Sequence, residues 1–313
     1  MKALIRPSLL ILAVVLAVLP LAMPNNYVID VAVRIALAAI AAIGLNLLMG
    51  FAGQISIGHA AFVAIGAYSS GICTVRFGMP PLLAIVTAAV GAALVAWLIA
   101  KPILRLRGHS LTMATLGLGV IVNIVLINEV GWTGGPDGMP VPPLQIGAFT
   151  FTKVLYWYAL AAALLWVSVL LSLNLYESPA GRALRGLNGS EVAARVAGID
   201  VGRFKVRVFV ASAVFAAISG SLMAHYLGFI SPSIAAFTHS VELATMVVLG
   251  GMASTFGAVL GTALLIALPQ LLGGLQGYEM VLFGLVLMLT MIFLPKGLVP
   301  SIALKMRKKG PDA

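Results

Sequence analysis

The sequence predicts an all-α, polytopic membrane protein of about ten transmembrane helices, some of them discontinuous, with both termini on the cytoplasmic side. Three observations predict it. The chain of 313 residues is 61% hydrophobic and 9% charged, with a mean hydropathy of +1.11. A soluble domain carries roughly a quarter charged residues, so too few polar side chains exist here to cover a water-facing surface. The apolar runs repeatedly approach the length of about 20 residues that a helix needs to cross a bilayer. Finally, the net charge of +10 sits in short segments between those runs, which is the pattern of topology signals. No basic patch with interleaved aromatics points to nucleic acid. The single cysteine, Cys73, lies in an apolar run and excludes a disulfide within the chain.

Lys2 and Arg6 precede an apolar run from Ser8 to Met23. It reads as a retained first helix rather than a cleaved signal peptide, because many more apolar spans follow. Asn25, Asn26 and Asp30 form the first polar break. Between Ile35 and Val75 there is no Asp, Glu, Lys or Arg. That run makes two spans, divided by GFAGQISIGH from Gly50 to His59 and ended by Arg76 and Pro80-Pro81. Leu82 to Ala100 is the fourth span, with Lys101, Arg105 and Arg107 marking its exit, and Leu111 to Asn128 is the fifth. GWTGGPDGMPVPP, within Gly131 to Pro143, is a polar loop rich in turn-forming residues. Val154 to Tyr176 is the sixth span.

After a charged stretch, Val208 to Ile230 is the seventh span. Two shorter runs, Val241–Gly251 and Thr255–Leu272, follow on either side of Met252-Ala253-Ser254. Tyr278 to Leu294 is the last span, closed by Pro295-Lys296-Gly297, and the tail carries Lys305, Arg307, Lys308 and Lys309. The chain reads as one transmembrane domain over 1–313, with a charged cytoplasmic loop at 177–207 and a basic cytoplasmic tail at 296–313. With the N-terminus inside, sixteen of the nineteen basic residues fall on the cytoplasmic face and only Arg34, Arg76 and Lys153 near the other. LMGFAG around Gly50 and VLGGMA around Gly250 look loosely alike. They run the same way across the membrane and so form no inverted pair, and chance in a Gly- and Ala-rich chain accounts for the likeness.

The charged stretch holds Glu177, Arg182, Arg185, Glu191, Arg195, Asp200, Arg203, Lys205 and Arg207. It is the one substantial place where the chain can engage an aqueous partner. Within it, Ser190 to Ile199 reads as a short capped helix. The Ser190 oxygen suits the N-cap and Glu191 suits the positive end of the dipole, while Gly198 is a natural stop. Ala193, Ala194 and Ala197 leave one face nearly flat, open to helix-in-groove docking, with Arg195, Arg203 and Lys205 to orient the partner. The alternative is a solvated loop whose arginines only obey the positive-inside rule.

The pattern Glu191, Ala193, Ala194 and Gly198 resembles the EAA loop of ABC importer permeases. More specifically, ESPAGRALRGLNGSEVAARVAGIDVGRFKVRVF (177–209) is similar to that loop in branched-chain amino acid permeases of the LivM type. So are GLNLLMGFAGQISIGHAAFVAIGAY (44–68), LRLRGHSLTMATLGLG (104–119), TGGPDG (133–138), VELATMVVLGGMAS (241–254) and FLPKGL (293–298). Two departures are visible: Ala253 stands where the family more often has glycine, and Leu187-Asn188-Gly189 replaces a more basic approach to the loop helix.

The resemblance implies the ABC importer permease fold in a multi-pass protein of the bacterial plasma (inner) membrane. It also implies a second permease subunit of LivH type, two ABC ATPase subunits and a periplasmic or extracellular binding protein. ATP and Mg would sit on the ATPase subunits, and no cofactor is expected on this chain, which has no G-x-x-x-x-G-K-S/T phosphate loop. The implied cargo is Leu, Ile, Val or a related amino acid; urea, amides or another small solute are alternatives within the family. An ion-coupled transporter or channel is the rival class, disfavoured because buried charged relays are nearly absent. No enzyme is expected, since carboxylates are sparse and neither metal-ligand spacing nor an interpretable Ser–His–Asp arrangement occurs.

For the pathway, the glycine-broken stretch is the leading candidate, because irregular backbone at membrane depth persists only where it is buried in protein or lines a wet cavity. Gly50, Gly53 and Gly58 would free backbone groups for a zwitterion, with Asn46, Gln54 and Ser56 as side-chain partners. Alternatively the glycines only permit tight helix packing. His59 is an intramembrane ionisable candidate, or a neutral histidine bonded to a carbonyl. Glu242, expected at the start of the eighth span, caps a helix or meets the substrate ammonium. Glu129, His225 and Asn123 are open in the same way.

Overall fold

The structure is a computed structural model that describes residues 7–22, 25–106, 108–147 and 149–272, and beyond them 281, 284–285, 288–289, 292–294 and 297–301. The last expected span, Tyr278 to Leu294, falls largely outside the described residues. Lys2, Arg6, Arg107, Lys296 and the tail residues Lys305, Arg307, Lys308 and Lys309 lie outside them too.

Helices dominate the described chain. α1 is Pro7–Ala22, α2 Asn26–Asn46, α3 Ala60–Phe77, α4 Pro81–Ile103, α5 His109–Asn128, α6 the single turn Val130–Thr133, and α7 Val154–Glu177. They are followed by α8 Pro179–Gly189, α9 Glu191–Val196, α10 Val201–Leu227, α11 Phe237–Gly250 and α12 Thr255–Leu272. Six are long and apolar enough to cross a membrane: α2 with its extension to Phe51, α3, α4, α5, α7 and α10. α1, α11 and α12 are shorter apolar helices. The 14 residues of α11 reach about 21 Å at 1.5 Å per residue, short of a hydrocarbon core of about 30 Å.

Local chemistry sets the boundaries. The Asn25 side chain accepts the Tyr27 N–H at 3.0 Å and opens α2. Pro81 opens α4 at a position where its missing N–H costs nothing. Gly228, at φ +70°, closes α10 in the left-handed conformation. The expected break after Gly50 is present: α2 widens into a π turn, Leu47–Phe51, and regular helix resumes only at Ala60.

α10 sits among α2, α3 and α4, joined by small residues and hydroxyls. A Cβ on Gly66 would meet the Ala217 carbonyl oxygen at 2.2 Å, and one on Gly220 would meet that of Val63 at 2.0 Å. Three serines of α10 donate to carbonyls across these seams: Ser212 to Gly44 (2.6 Å), Ser219 to Leu37 (2.7 Å) and Ser221 to Gly66 (2.9 Å). Lipid tails are as apolar as leucine, so close packing and such hydrogen bonds, each about 1 kcal/mol, hold the bundle in place of a hydrophobic drive. Burial separates the layers: 72% of the apolar window of α2 is covered against 28% in α4 and α5. The outer helices turn Val86, Val90, Ile121 and Leu171 outward.

The TGGPDG loop is pinned at the opposite end of α10 from the charged segment. Strand β1, Met139–Pro140, pairs antiparallel with β2, Phe229–Ile230, just past α10, in the register Met139 to Ile230. His225 satisfies both ring nitrogens there, with the Pro142 carbonyl at 2.8 Å and the Ser70 hydroxyl at 3.1 Å. Asn123 donates to the Pro232 carbonyl at 2.9 Å. Glu129 ends α5 through its backbone, its N–H bonded to the Val125 carbonyl. The side chains of His225 and Asn123 thus have structural partners, whereas the bond of Glu129 is made by its backbone.

Candidate functional site

The charged segment is two helices rather than one. α8 is opened by Ser178, which accepts the Gly181 N–H at 3.1 Å, and by Pro179 at its first position. It buries Leu184 and Leu187. Sequence reading passed over this helix, although the Ser-Pro start is a recognisable N-terminal signal. α9 follows the expected plan. The Ser190 hydroxyl accepts the Ala193 N–H at 3.3 Å, Gly198 lies at φ +80°, and the Ile199 N–H returns to the Ala194 carbonyl at 3.0 Å.

Two expectations about its surface are corrected. Ala194 is buried and cannot belong to a flat docking face with Ala193 and Ala197, which are exposed. The prominent side chains are Val192 and Val196, 67% and 86% exposed, one helical turn apart. An apolar pair at that spacing was the signal to look for. Nor can Lys205 orient a partner. Its side chain is 4% exposed and forms an ion pair with Glu191, tying α9 onto the start of α10. Arg195 stands 3.9 Å from the same carboxylate and remains outward. Arg203 is exposed and paired with Asp200 at 2.9 Å.

α8 reaches directly to the glycine break. Asn188 donates through Nδ2 to the Gly50 carbonyl at 2.8 Å. A Cβ on Gly53, which sits at φ +65°, would lie 2.5 Å from Asn188 Oδ1. A second link runs through aromatic rings. Arg185 donates to the Tyr176 carbonyl at 2.6 Å and lies 4.2 Å over the Tyr176 ring, whose centroid is 5.1 Å from that of Phe51 in the π turn.

Around the break itself, three of the expected polar residues share a property. Asn46, Gln54 and His59 are all buried, and each keeps an unpartnered atom: Asn46 Nδ2, Gln54 Oε1 and His59 Nδ1. Leaving such a group buried and unpaired costs about 1–3 kcal/mol. Three such atoms therefore fall within one break of the chain. Asn46 Oδ1 accepts the Ala253 N–H at 2.9 Å, and Gln54 Nε2 donates to the Ala52 carbonyl at 3.2 Å. The His59 ring meets Ser212 twice, with Nε2 3.4 Å from its hydroxyl and a hydrogen bond to its backbone, which agrees with a neutral histidine bonded to a carbonyl. Ser56 is buried beside them in the chain.

Tight packing also operates at the glycines. A Cβ on Gly58 would fall 1.7 Å from the Thr115 carbonyl oxygen of α5, and one on Gly50 would fall 2.2 Å from the Ala253 nitrogen. The likeness between the Gly50 and Gly250 breaks therefore has a spatial counterpart, because the two breaks touch. α11 lies along the whole interruption. Ser240 near its start accepts the Ala60 N–H at 3.2 Å, and the turn beyond its end receives Asn46. Ala253 is the one non-glycine residue at positive φ among the described residues, at +63°, where the family resemblance led us to expect glycine. Glu242 stands in the second turn of α11, bonded to His239 at 3.2 Å, so it does not cap that helix and is not drawn into the break. No group of His, Cys, Asp and Glu among the described residues is arranged to hold a metal.

The sequence matches the family described as branched-chain amino acid transport system / permease component over residues 27–295. The chain belongs to this permease family. It is 33% identical, over 91% of its length and 73% of the relative's, to the high-affinity branched-chain amino acid transport system permease protein LivM of Salmonella typhimurium. With the Escherichia coli protein of the same name it shares 33% identity over 97% of this chain and 77% of that one. Its identity to the permease protein BraD of Pseudomonas aeruginosa is 28%, over 83% of this chain and 91% of the relative. No solved structure matches the chain. Within this permease, the family match takes in both the charged segment and the break.

Proposed function

We propose that this permease is the membrane-spanning subunit of an ATP-driven importer for branched-chain or related amino acids in the bacterial plasma membrane. In this reading the whole chain is one transmembrane unit of about ten spans. Both termini and residues 177–207 are cytoplasmic, because that arrangement puts most Lys and Arg inside. Two ABC ATPase subunits bind and hydrolyse ATP with Mg, and a second, LivH-like permease subunit completes the membrane unit. An external binding protein delivers the amino acid. α9 enters a groove of an ATPase subunit through Val192 and Val196, with Ala193, Arg195 and Ala197 around them. The substrate passes the break between Asn46 and His59, where the unspent polar atoms meet its ammonium and carboxylate groups.

The observation that carries the proposal is the bond from Asn188 to Gly50. It makes the segment that meets the aqueous partner mechanically continuous with the irregular backbone in the membrane. Drawing the ATPases together moves α9 with the start of α10, to which the Glu191–Lys205 pair ties it, and with the adjoining α8, which is held to the bundle by its buried Leu184 and Leu187. That movement reaches the π turn through the Asn188–Gly50 hydrogen bond and through Arg185 on the Tyr176 ring, which meets Phe51 at a tilt. Sub-ångström shifts of this kind are amplified where packed elements have two discrete arrangements.

The test is affinity capture of the tagged chain from gently solubilised native membranes. Recovery of an ATPase and a second permease, with a binding protein that takes leucine, isoleucine or valine, is the expected result. Capture of the chain alone, under conditions that preserve another ABC importer, contradicts it.

A further inference from the structure

At the basic end of the bundle, α4 and α10 line a groove of about 730 Å³ open to the outside. Its floor is apolar, with Leu104, Val206 and Val210, and four cations stand around it: Lys101 and Arg105 from α4, Arg203 and Arg207 from α10. Among the described residues, the one carboxylate lining it is Asp200, which is paired with Arg203 at 2.9 Å. The groove thus keeps an excess of three positive charges over an apolar base. Trp97, 52% exposed, lines the groove one turn before Lys101, whose ammonium lies 5.8 Å from the indole centroid. Leu94 and Leu98, on the same length of α4, are also turned outward.

We infer that this groove binds the headgroup of an anionic phospholipid. Three features select that ligand. The cations match a phosphodiester, and arginine supplies the forked donor geometry that phosphate oxygens accept. Trp97 lines the groove and Leu94 and Leu98 beside it on α4 are turned outward, so acyl chains lie along them while the phosphate stays at the cations. A tryptophan at that boundary has the amphipathic ring characteristic of the headgroup level, and basic pockets between helices at a membrane face are sites for anionic headgroups. A soluble anion would use the charges and leave the apolar floor wet. The inference goes beyond the transport reading and needs only that the chain is embedded in a bilayer.

Native mass spectrometry of the purified full-length chain, titrated with phosphatidylglycerol or phosphatidylcholine, tests it. Phosphatidylglycerol is expected to give a retained adduct that phosphatidylcholine does not. Each cation near an anionic headgroup is worth about fivefold in affinity, so Lys101→Gln with Arg105→Gln should weaken that adduct on the order of 25-fold. Lys153→Gln, at the other end of the bundle, should leave it unchanged. Equal retention of the two lipids by the unaltered chain overturns the inference without recourse to any variant. So does displacement of the lipid by millimolar inorganic phosphate, which marks a soluble-anion site. Loss of the adduct when ATPase subunits assemble also overturns it, because the groove is then a protein contact.

Discussion

Asn188 and Gly50 are 138 residues apart in sequence and joined by a 2.8 Å hydrogen bond from the Asn188 amide to the Gly50 carbonyl. The donor belongs to α8 in the charged segment and the acceptor to the π turn that interrupts α2. π turns of this kind are frequent at functional sites, and here the turn frees a carbonyl that a distant side chain satisfies. Allosteric coupling requires two sites and an element whose equilibrium both of them bias. In the proposed function, the docking surface of α9 and the break at Gly50–His59 would be the two sites and α8 the element.

Val192 and Val196 are expected to hold the ATPase. Replacing Val196 with aspartate places a charge on an 86% exposed position, where nothing in the fold is disturbed. The protein should insert and melt as before, while recovery of the ATPase falls at least about tenfold, equivalent to about 1.4 kcal/mol. Co-purification at wild-type stoichiometry would move the docking surface elsewhere.

Gly198→Val should separate docking from structure in a different way. Gly198 sits at φ +80° with open space around its missing Cβ, so the penalty is backbone strain of about 1–2 kcal/mol rather than a clash. Membrane insertion is expected to persist and coupled uptake to be lost. Normal uptake by the variant would show that the turn after α9 takes no part in coupling.

The Glu191–Lys205 pair predicts an asymmetric response to mutation. Glu191→Gln leaves the Lys205 ammonium buried at 4% exposure without its counter-charge, a loss toward the lower end of about 3–5 kcal/mol. Adding Lys205→Met should restore most of it. Thermal melting of the three proteins in detergent measures this, and a double variant no more stable than Glu191→Gln contradicts it.

Gln54→Ala removes a carbonyl oxygen that is buried and unpartnered in the free chain. Folding should change little, because deleting the unsatisfied oxygen offsets the loss of the Nε2 bond to the Ala52 carbonyl and of buried side-chain volume. If that oxygen receives the substrate ammonium, the KM for uptake rises with ATPase assembly unchanged. Uptake kinetics identical to wild type would remove Gln54 from the pathway.

Much of this architecture was legible in the sequence for a physical reason: in a bilayer the length and polarity of each run are set by the solvent. The break after Gly50, the Ser190 cap and the Gly198 stop were readable because each rests on chemistry within a few residues. What was hidden depended on partners distant in the chain. Lys205 looked like a surface cation because nothing local announces the carboxylate of Glu191 that buries it. Asn188 looked like a departure from a more basic motif, and its role became visible only when Gly50 was placed beside it. The likeness of the Gly50 and Gly250 breaks carried no argument as a pattern, yet Asn46 and Ala253 bring the two into contact.

The decisive measurement is leucine taken up per ATP hydrolysed in proteoliposomes holding the complete transporter and its binding protein, with Asn188 intact or replaced by alanine. Asn188→Ala deletes one hydrogen bond and leaves Val192, Val196 and Gly198 untouched. The predicted result is ATP hydrolysis near the wild-type rate with uptake per ATP reduced about tenfold, the change that about 1.4 kcal/mol of lost coupling produces. An unchanged ratio would contradict transmission through the bond from Asn188 to Gly50.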